Sequence, residues 1–288
     1  MSAPCLLLLV VFLRLYMSGR LSPAALPLAL CILIKPFFAP VAIVFLMARE
    51  WQLLFRLGVW ISAMAILSLG LLGWEAHVQW LHVIQLGAKG YIEPWWNNSS
   101  LWNLFDTIWL VVSTGDTKVN GLLLNPWGQF AAAGRLLTIP LFYLAIARGD
   151  LRTMRQSARR LVLTFMAILF CLLQSAIVWP HYLVFLLPFL LIVTFTSQPL
   201  PRAARVAAWL AFVSTLAVQS RPLQEWVLHL LPAAPIVQGA AAGLFGACTL
   251  LLCSIILVFW HGEIIVALAK SAPAMSSSTS GKSAVVSA

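Results

Sequence analysis

Long apolar runs, separated by short charged turns, are the feature that most restricts how this chain can fold. A helix needs about 20 consecutive apolar residues to cross the hydrocarbon core of a bilayer. The sequence therefore predicts an all-α fold, a polytopic transmembrane helix bundle of about 7–9 membrane segments over residues 1–260. The apolar runs lie at residues 4–16, 21–48, 53–74, 127–147, 161–179, 181–196, 206–218 and 236–260.

The composition excludes the main classes of soluble protein. Hydrophobic residues make up 62% of the 288 positions and charged residues only 9%. A soluble domain carries roughly 25% charged residues on its wetted surface. A soluble enzyme, a nucleic-acid-binding protein and a disordered chain are thus excluded, and the expected surroundings are the lipid bilayer. The five cysteines lie in apolar runs without a CxxC pair, so we expect no metal site and no cofactor.

The basic residues predict an orientation. Cytoplasmic turns of membrane proteins are enriched in Lys and Arg, and residues 148–160 (RGDLRTMRQSARR) are crowded with arginine. Counting crossings from this turn places the polar loop 75–125 outside and residues 261–288, a disordered tail, in the cytoplasm. We therefore predict a multi-pass protein of the plasma (inner) membrane. The same inner side collects Arg14, Arg20, Arg49, Arg56, Arg202, Arg205, Lys270 and Lys282.

The start of the chain departs from a simple topology. With Arg14 and Arg20 inside, Met1 begins outside, and neither a basic segment nor a cleavage site marks a signal peptide. Either the chain is the back part of a longer protein, or residues 1–16 form a short interfacial or inside-starting element. The sequence leaves both alternatives open.

The run 21–48 is interrupted by Lys35-Pro36. It is either one kinked span or two short helices that meet at Lys35 on the outer side, with Pro36 opening the second helix. The second interpretation agrees better with the charges, since it places both Arg20 and Arg49 inside. Helices of about 13 residues are too short to span alone and occur where a bundle encloses a cavity.

Ionisable side chains within apolar runs are costly and usually face a bundle interior. Lys35 could hold a phosphate or another anion at the floor of an outward cavity, or simply snorkel to the interface. Arg135 lies close enough to its helix end for snorkelling to be the simpler interpretation. His181, in the segment WPHYLVFLLP, could donate to a phosphate or a sugar hydroxyl, or stand in the aromatic belt at the membrane surface.

The outer loop carries a third candidate group, in GYIEPWWNNSSLWNLFDTIW. Indole faces stack on sugar rings, while amide and hydroxyl groups satisfy sugar oxygens. Two carboxylates flank this group as weak candidates for a catalytic base. An amphipathic helix lying on the membrane would give the same pattern. The candidate sugar-binding residues are Trp95, Trp96, Asn98 and Ser100, and the candidate bases are Glu93 and Asp106.

These segments together resemble glycosyltransferase family 87. The resemblance covers roughly residues 20–200 and rests on IKPFFAP before REWQLLFR, the NSSL motif in a long outer loop, and WPHYLVFLLP, in that order. It implies a membrane hexosyltransferase of the C-type fold, using a polyprenyl-phosphate sugar, mannose by resemblance, and a lipid-linked or cell-envelope glycan acceptor. It also implies that Lys35, His181, Asn98 and Ser100 lie near donor or acceptor.

The chain departs from the family at one place. Members carry a catalytic aspartate in the first outer loop, whereas the first carboxylate here is Glu50, which we place inside. Unless Glu93, Asp106 or another outer carboxylate substitutes, the sequence predicts an inactive chain or the C-terminal portion of a longer one. The competing hypothesis is a non-enzymatic membrane protein, such as a transporter or flippase of lipid-linked sugars or a scaffold subunit.

Overall fold

The computed structural model is helical throughout the part of the chain that it describes. That part comprises residues 2–89, 129–148, 156–175, 180–195, 200–230 and 246–257, with residues 100–101, 104–105, 151, 178, 244 and 259. The helices are α1 (Ser2–Met17), α2 (Leu21–Ile34), α3 (Val41–Met47), α4 (Trp51–Lys89), α5 (Gln129–Arg148), α6 (Gln156–Gln174), α7 (Leu187–Phe195), α8 (Arg202–Gln219), α9 (Arg221–Leu230) and α10 (Gly246–Leu257). Two 3₁₀ helices, Pro36–Phe38 and Pro180–Leu186, precede α3 and α7.

Among the described residues, two helices are long and apolar enough to cross a membrane, and they have opposite surroundings. Trp51–His82 within α4 is only 6% buried inside the protein, whereas Gln156–Gln174, which is α6, is 78% buried. An apolar helix with bare sides is stable in lipid but not in water. The all-α prediction is confirmed for the described residues, while the number of crossings stays a prediction because the other helices are shorter.

Helix α6 is the centre of the core. Helices α1, α3 and α5 and both 3₁₀ helices pack against it, and α2 packs on α1 and α4. Its side chains are apolar on every face, including Leu163, Phe170 and Leu172, so it is stable only where protein surrounds it. The contacts described below are therefore given by their position along α6.

The break at Lys35-Pro36 agrees with the second of the two interpretations. Helix α2 ends at Ile34, Lys35 is extended (φ −136°, ψ 94°), and Pro36 opens a 3₁₀ helix. Proline suits this position because its missing N–H would have had no helical partner. Two short helices therefore meet at Lys35, at the end of α6 where the Cys171 thiol contacts the Phe38 carbonyl oxygen (3.7 Å).

The opposite end of α6, at Gln156, contacts two helix turns that have the same hydrogen-bond pattern. At the end of α1, Gly19 N–H donates to Tyr16 O and Arg20 N–H to Leu15 O, with Gly19 at φ +84°. At the end of α3, Arg49 N–H donates to Leu46 O and Glu50 N–H to Phe45 O, with Arg49 at φ +59°. Both are Schellman motifs, in which a left-handed residue closes the helix.

Consecutive arginines at the start of α6 bind these two turns. Arg160 Nη1 donates to Tyr16 O (2.9 Å), and its guanidinium lies 5.1 Å from the centroid of the Tyr16 ring. Arg159 Nη2 donates to Ala48 O (3.0 Å) and pairs with Glu50 Oε1 (2.7 Å). The arginines expected in a cytoplasmic turn thus include two that tie α1 and α3 to α6.

Two regions differ from the sequence-based expectations. The polar stretch was expected to begin at Glu75, but α4 continues to Lys89 after a break at Gly73 (φ +78°). His77 holds this break, with Nδ1 2.8 Å from Gly73 O and Nε2 3.0 Å from Ser68 Oγ. Helix α9 (Arg221–Leu230) was not predicted, because its apolar residues are interspersed with polar ones. The tail 261–288 lies outside the described residues.

Candidate functional site

Lys35 stands where the chain leaves one helix and enters the next. Its backbone N–H still donates to Cys31 O (2.9 Å), so its main chain is fixed although its conformation is extended. Its half-buried side chain lies over Tyr182, with Nζ 4.2 Å from the ring centroid. An ammonium at this distance from an aromatic face is attracted by the negative charge of the ring face.

Tyr182 joins the two segments that carry the candidate residues. Its ring stacks on Phe37, with centroids 4.7 Å apart and planes 10° apart. The ring of the neighbouring His181 meets it edge to face, with centroids 4.7 Å apart. The stack exists because two short 3₁₀ helices place Phe37 and Tyr182 side by side. It brings Lys35 and the exposed His181 into one cluster, which we call the Lys35 cluster (Lys35, Phe37, His181, Tyr182).

Lys35 and His181 lie close enough to influence each other's charge. Burial lowers the pKa of His181, and the positive charge of Lys35 lowers it further. A neutral imidazole keeps one N–H donor and one acceptor nitrogen beside the lysine ammonium. Together the two side chains present donors suited to phosphate or sugar oxygens.

Ser100 also lies at the Gln174 end of α6, although it belongs to a different segment of the chain. Its hydroxyl donates to Ser175 O (3.1 Å), immediately after α6, and its side chain is 1% exposed. The next residue, Leu101, is also buried and lines an apolar cavity of about 170 Å³ beside α5, α6 and α10. Ser100 therefore anchors the middle of the segment 75–125 to the end of α6, and its hydroxyl is not exposed to solvent.

Hydrogen bonds between polar groups of α5 and α6 further stabilise this end of α6. Gln174 Nε2 donates to Arg135 O (3.0 Å) and to Thr138 Oγ1. The part of Arg135 that serves this network is thus its carbonyl oxygen, and its side chain is half-buried. The network holds the last turn of α6, from which residue 175 and the segment leading to His181 continue.

The structure brings together part of the predicted site. Lys35, His181 and Ser100 all lie at the Gln174 end of α6. Glu93, Trp95, Trp96, Asn98 and Asp106 lie outside the described residues. Among the residues that are described, no three His, Cys, Asp or Glu side chains cluster as metal ligands would.

The sequence interpretation missed Phe37 and Tyr182 as parts of the site. Neither residue was named as a candidate from the sequence. The available signal was the aromatic pair Phe37-Phe38 directly after the lysine, since a cation placed within an apolar run favours an aromatic partner. Which aromatic it contacts depends on a pairing of segments more than 140 residues apart in the chain.

Comparison with known proteins gives one family. The family model described as glycosyltransferase family 87 matches residues 2–175, which is more than half of the chain. No curated protein and no solved structure matches it. The matched region includes α1 to α6 and Lys35, and it ends before His181 and Tyr182.

Proposed function

The chain belongs to glycosyltransferase family 87, and from this premise we propose that it transfers a hexose to an acceptor at the membrane surface. The donor we propose is a polyprenyl-phosphate sugar, with mannose as the hexose. The acceptor is a lipid-linked or cell-envelope glycan on the outer face. Membership of the family supports the transferase class. The donor and the acceptor are proposals that rest on the site.

The observation that carries the proposal is the juxtaposition of Lys35 and His181 around the Tyr182 ring. Lys35 is half-buried, so a phosphate beside it would interact in surroundings less polar than water, where the attraction is stronger. His181 is exposed and can donate to a second phosphate oxygen or to a sugar hydroxyl. The aromatic pair Phe37 and Tyr182 supplies an apolar wall for the donor.

The reaction we propose breaks the bond between sugar C1 and the phosphate oxygen. A hydroxyl oxygen of the acceptor forms the new bond to C1, and its proton passes to a carboxylate. The polyprenyl phosphate leaves with the electron pair of the broken bond. The Lys35 ammonium would stabilise the charge that develops on the leaving phosphate, which is the interaction that lowers the barrier.

The remaining roles fall to the outer loop. Trp95 and Trp96 are proposed to stack on sugar rings, and Asn98 to bind sugar hydroxyls. Glu93 and Asp106 are the candidates for the base that takes the acceptor proton. Ser100, which donates to Ser175 O, would position this loop over the Lys35 cluster and would not itself contact the sugar.

Transfer of radiolabelled mannose from polyprenyl phosphate mannose, measured in proteoliposomes, tests the proposal. We expect Lys35→Met to lower kcat/KM by roughly a hundredfold, as loss of one charge-stabilising donor does elsewhere. Lys35→Arg should lose about tenfold because it keeps the charge but not the shape. The control Arg202→Gln removes one exposed positive charge from α8 and should leave transfer unchanged.

Wild-type kcat/KM in Lys35→Met would show that Lys35 does not hold the donor. Translocation of the labelled lipid across the vesicle membrane, without a new glycosidic bond, would establish the transporter alternative in place of the enzyme. Both assays use the same vesicles, so one preparation decides between them.

A further inference from the structure

An open cavity of about 550 Å³ lies at the end of α1 that is remote from the Lys35 cluster. Arg14, in the last turn of α1, and Arg20, directly before α2, both line it, and both side chains are exposed. The turn between them is closed by hydrogen bonds from Gly19 N–H to Tyr16 O and from Arg20 N–H to Leu15 O. The cavity is therefore basic at its rim.

The cavity continues into an apolar groove along α1. Val10 and Leu13 line both spaces. From there the groove runs between α1, α6 and the segment that leads into α7, past Leu9 and Phe165 to Phe185. Residues 6–13 cover about 10 Å along the helix axis. A basic opening joined to an apolar groove matches the shape of a phospholipid, with a charged head and a long apolar chain.

The neighbouring Arg159 and Arg160 bind other parts of the protein, whereas Arg14 and Arg20 make no such contact with the described residues. Arg159 binds Glu50 and a carbonyl oxygen, and Arg160 binds Tyr16 O. Within the described ranges, neither Arg14 nor Arg20 makes an ion pair or a side-chain hydrogen bond. The carbonyls of residues 14, 15 and 16 already accept hydrogen bonds from backbone N–H groups, and that of residue 15 also accepts one from the Ser18 hydroxyl.

We propose that this cavity and groove bind one anionic phospholipid. Its phosphate lies in the cavity that Arg14 and Arg20 line, and one acyl chain lies in the groove beside Val10 and Leu13. The charge complementarity selects an anionic lipid over a zwitterionic one, and the basic end of the bundle is the end that we place at the anionic cytoplasmic leaflet. The site is independent of the proposed sugar transfer, whose donor phosphate would lie at the other end of α6.

Native mass spectrometry of the full chain in neutral detergent tests the site. The probes are phosphatidylglycerol and phosphatidylcholine with identical acyl chains. Two arginines should give phosphatidylglycerol roughly a thirtyfold advantage in apparent Kd. The double variant R14Q/R20Q should lose this advantage. The control R202Q/R205Q, which removes the same charge from α8, should keep it.

A second variant tests the groove without touching the charges. Val10 is 50% exposed, so Val10→Trp can fill the groove without disturbing the core. It should weaken phosphatidylglycerol binding at least fivefold while circular dichroism and gel filtration stay unchanged.

Three results would overturn the proposal. They are equal binding of the two lipids by the wild type, an equal loss of selectivity in R202Q/R205Q, and wild-type binding by Val10→Trp. Stronger binding of polyprenyl phosphate than of phosphatidylglycerol, with the same dependence on Arg14 and Arg20, would also overturn it, because the groove would then belong to the donor.

Discussion

The two ends of α6 hold basic side chains in opposite ways. At the Gln156 end, Arg159 and Arg160 reach inward to Glu50 and to the carbonyl oxygens of helix turns. At the Gln174 end, Lys35 lies on the face of Tyr182, beside the exposed His181. The first end uses positive charge to fasten helices. The second places it beside aromatic rings, where we propose that the donor phosphate binds.

Because the two ends differ in this way, we expect basic residues at one end to affect stability and those at the other to affect the proposed transfer. An arginine bound to a carboxylate and to main-chain oxygens has little capacity left for a ligand, and its removal leaves buried polar groups unsatisfied. The Lys35 ammonium, by contrast, lies against the face of an aromatic ring and not against a carboxylate. Changes at the Gln156 end should therefore weaken folding, and changes at the Gln174 end should weaken transfer.

The largest stability effect is expected for Glu50→Ala. The pair with Arg159 is mostly buried, with side chains 10% and 26% exposed, and removing the carboxylate leaves a partly buried guanidinium without its partner. We expect the free energy of unfolding to fall by about 2 kcal/mol, measured by detergent denaturation in mixed micelles. Glu75→Ala, at an exposed position of α4, is the control and should change it by less than about 0.5 kcal/mol.

Gly19→Ala should cost about 1–2 kcal/mol, because the position is left-handed. A Cβ atom there would also lie 3.3 Å from Arg160 Nη1, which would disturb the arginine that binds Tyr16 O. The matched control is Gly58→Ala in α4, where a Cβ meets nothing within 4 Å. That change should stabilise by about 0.5–1 kcal/mol. If both variants changed the free energy of unfolding equally, the closed turn at Gly19 would not contribute to the stability of the Gln156 end of α6.

Arg49→Gly should stabilise the protein by about 0.5 kcal/mol. Arg49 is exposed and has φ +59°, so glycine relieves its backbone strain, although it also gives the unfolded chain more freedom. Arg56→Gly, inside α4, should instead destabilise by about 1 kcal/mol. Thermal unfolding of both variants measures the sign, and a loss of stability in Arg49→Gly would contradict the Schellman assignment.

The smallest effect concerns the pKa of His181. The charge of Lys35 opposes protonation of the imidazole and so lowers that pKa. In Lys35→Met the opposing charge is gone, so the pKa should rise toward its ordinary value, and His181 should become protonated at a higher pH than in the wild type. Histidine NMR titration measures the change, with His181→Gln assigning the resonance. An unchanged pKa would mean that Lys35 and His181 are too far apart to share a phosphate.

Several of these features could be predicted from local sequence. Proline after Lys35 removes one N–H and fixes one dihedral angle, so the helix break follows from a single residue. The apolar runs gave helices α1 and α8 to within a few residues at each end.

Other features depended on contacts between distant segments. The left-handed conformation of Arg49 is unusual for a residue with a side chain, and it is held by a helix turn that Arg159 supports from 110 positions away. The partners of Ser100 and Lys35 are likewise set by segments 75 and more residues further along the chain. No local pattern specifies such pairs, so the sequence could name the candidate side chains but not their contacts.

The two sealed turns have a consequence for the order in which the protein is made. Arg159 and Arg160 follow the carbonyls that they bind by 111 and 144 residues. At about 5–20 residues per second, a ribosome takes roughly 6 to 30 s to synthesise that stretch. The hairpins α1–α2 and α3–α4 are therefore synthesised before Arg159 and Arg160 exist. Until then, Ala48 O lacks its guanidinium partner and Tyr16 O keeps only the Gly19 N–H. Once α6 has been made, Arg159 and Arg160 bind both turns. The first four helices are therefore joined to α6 only late in synthesis.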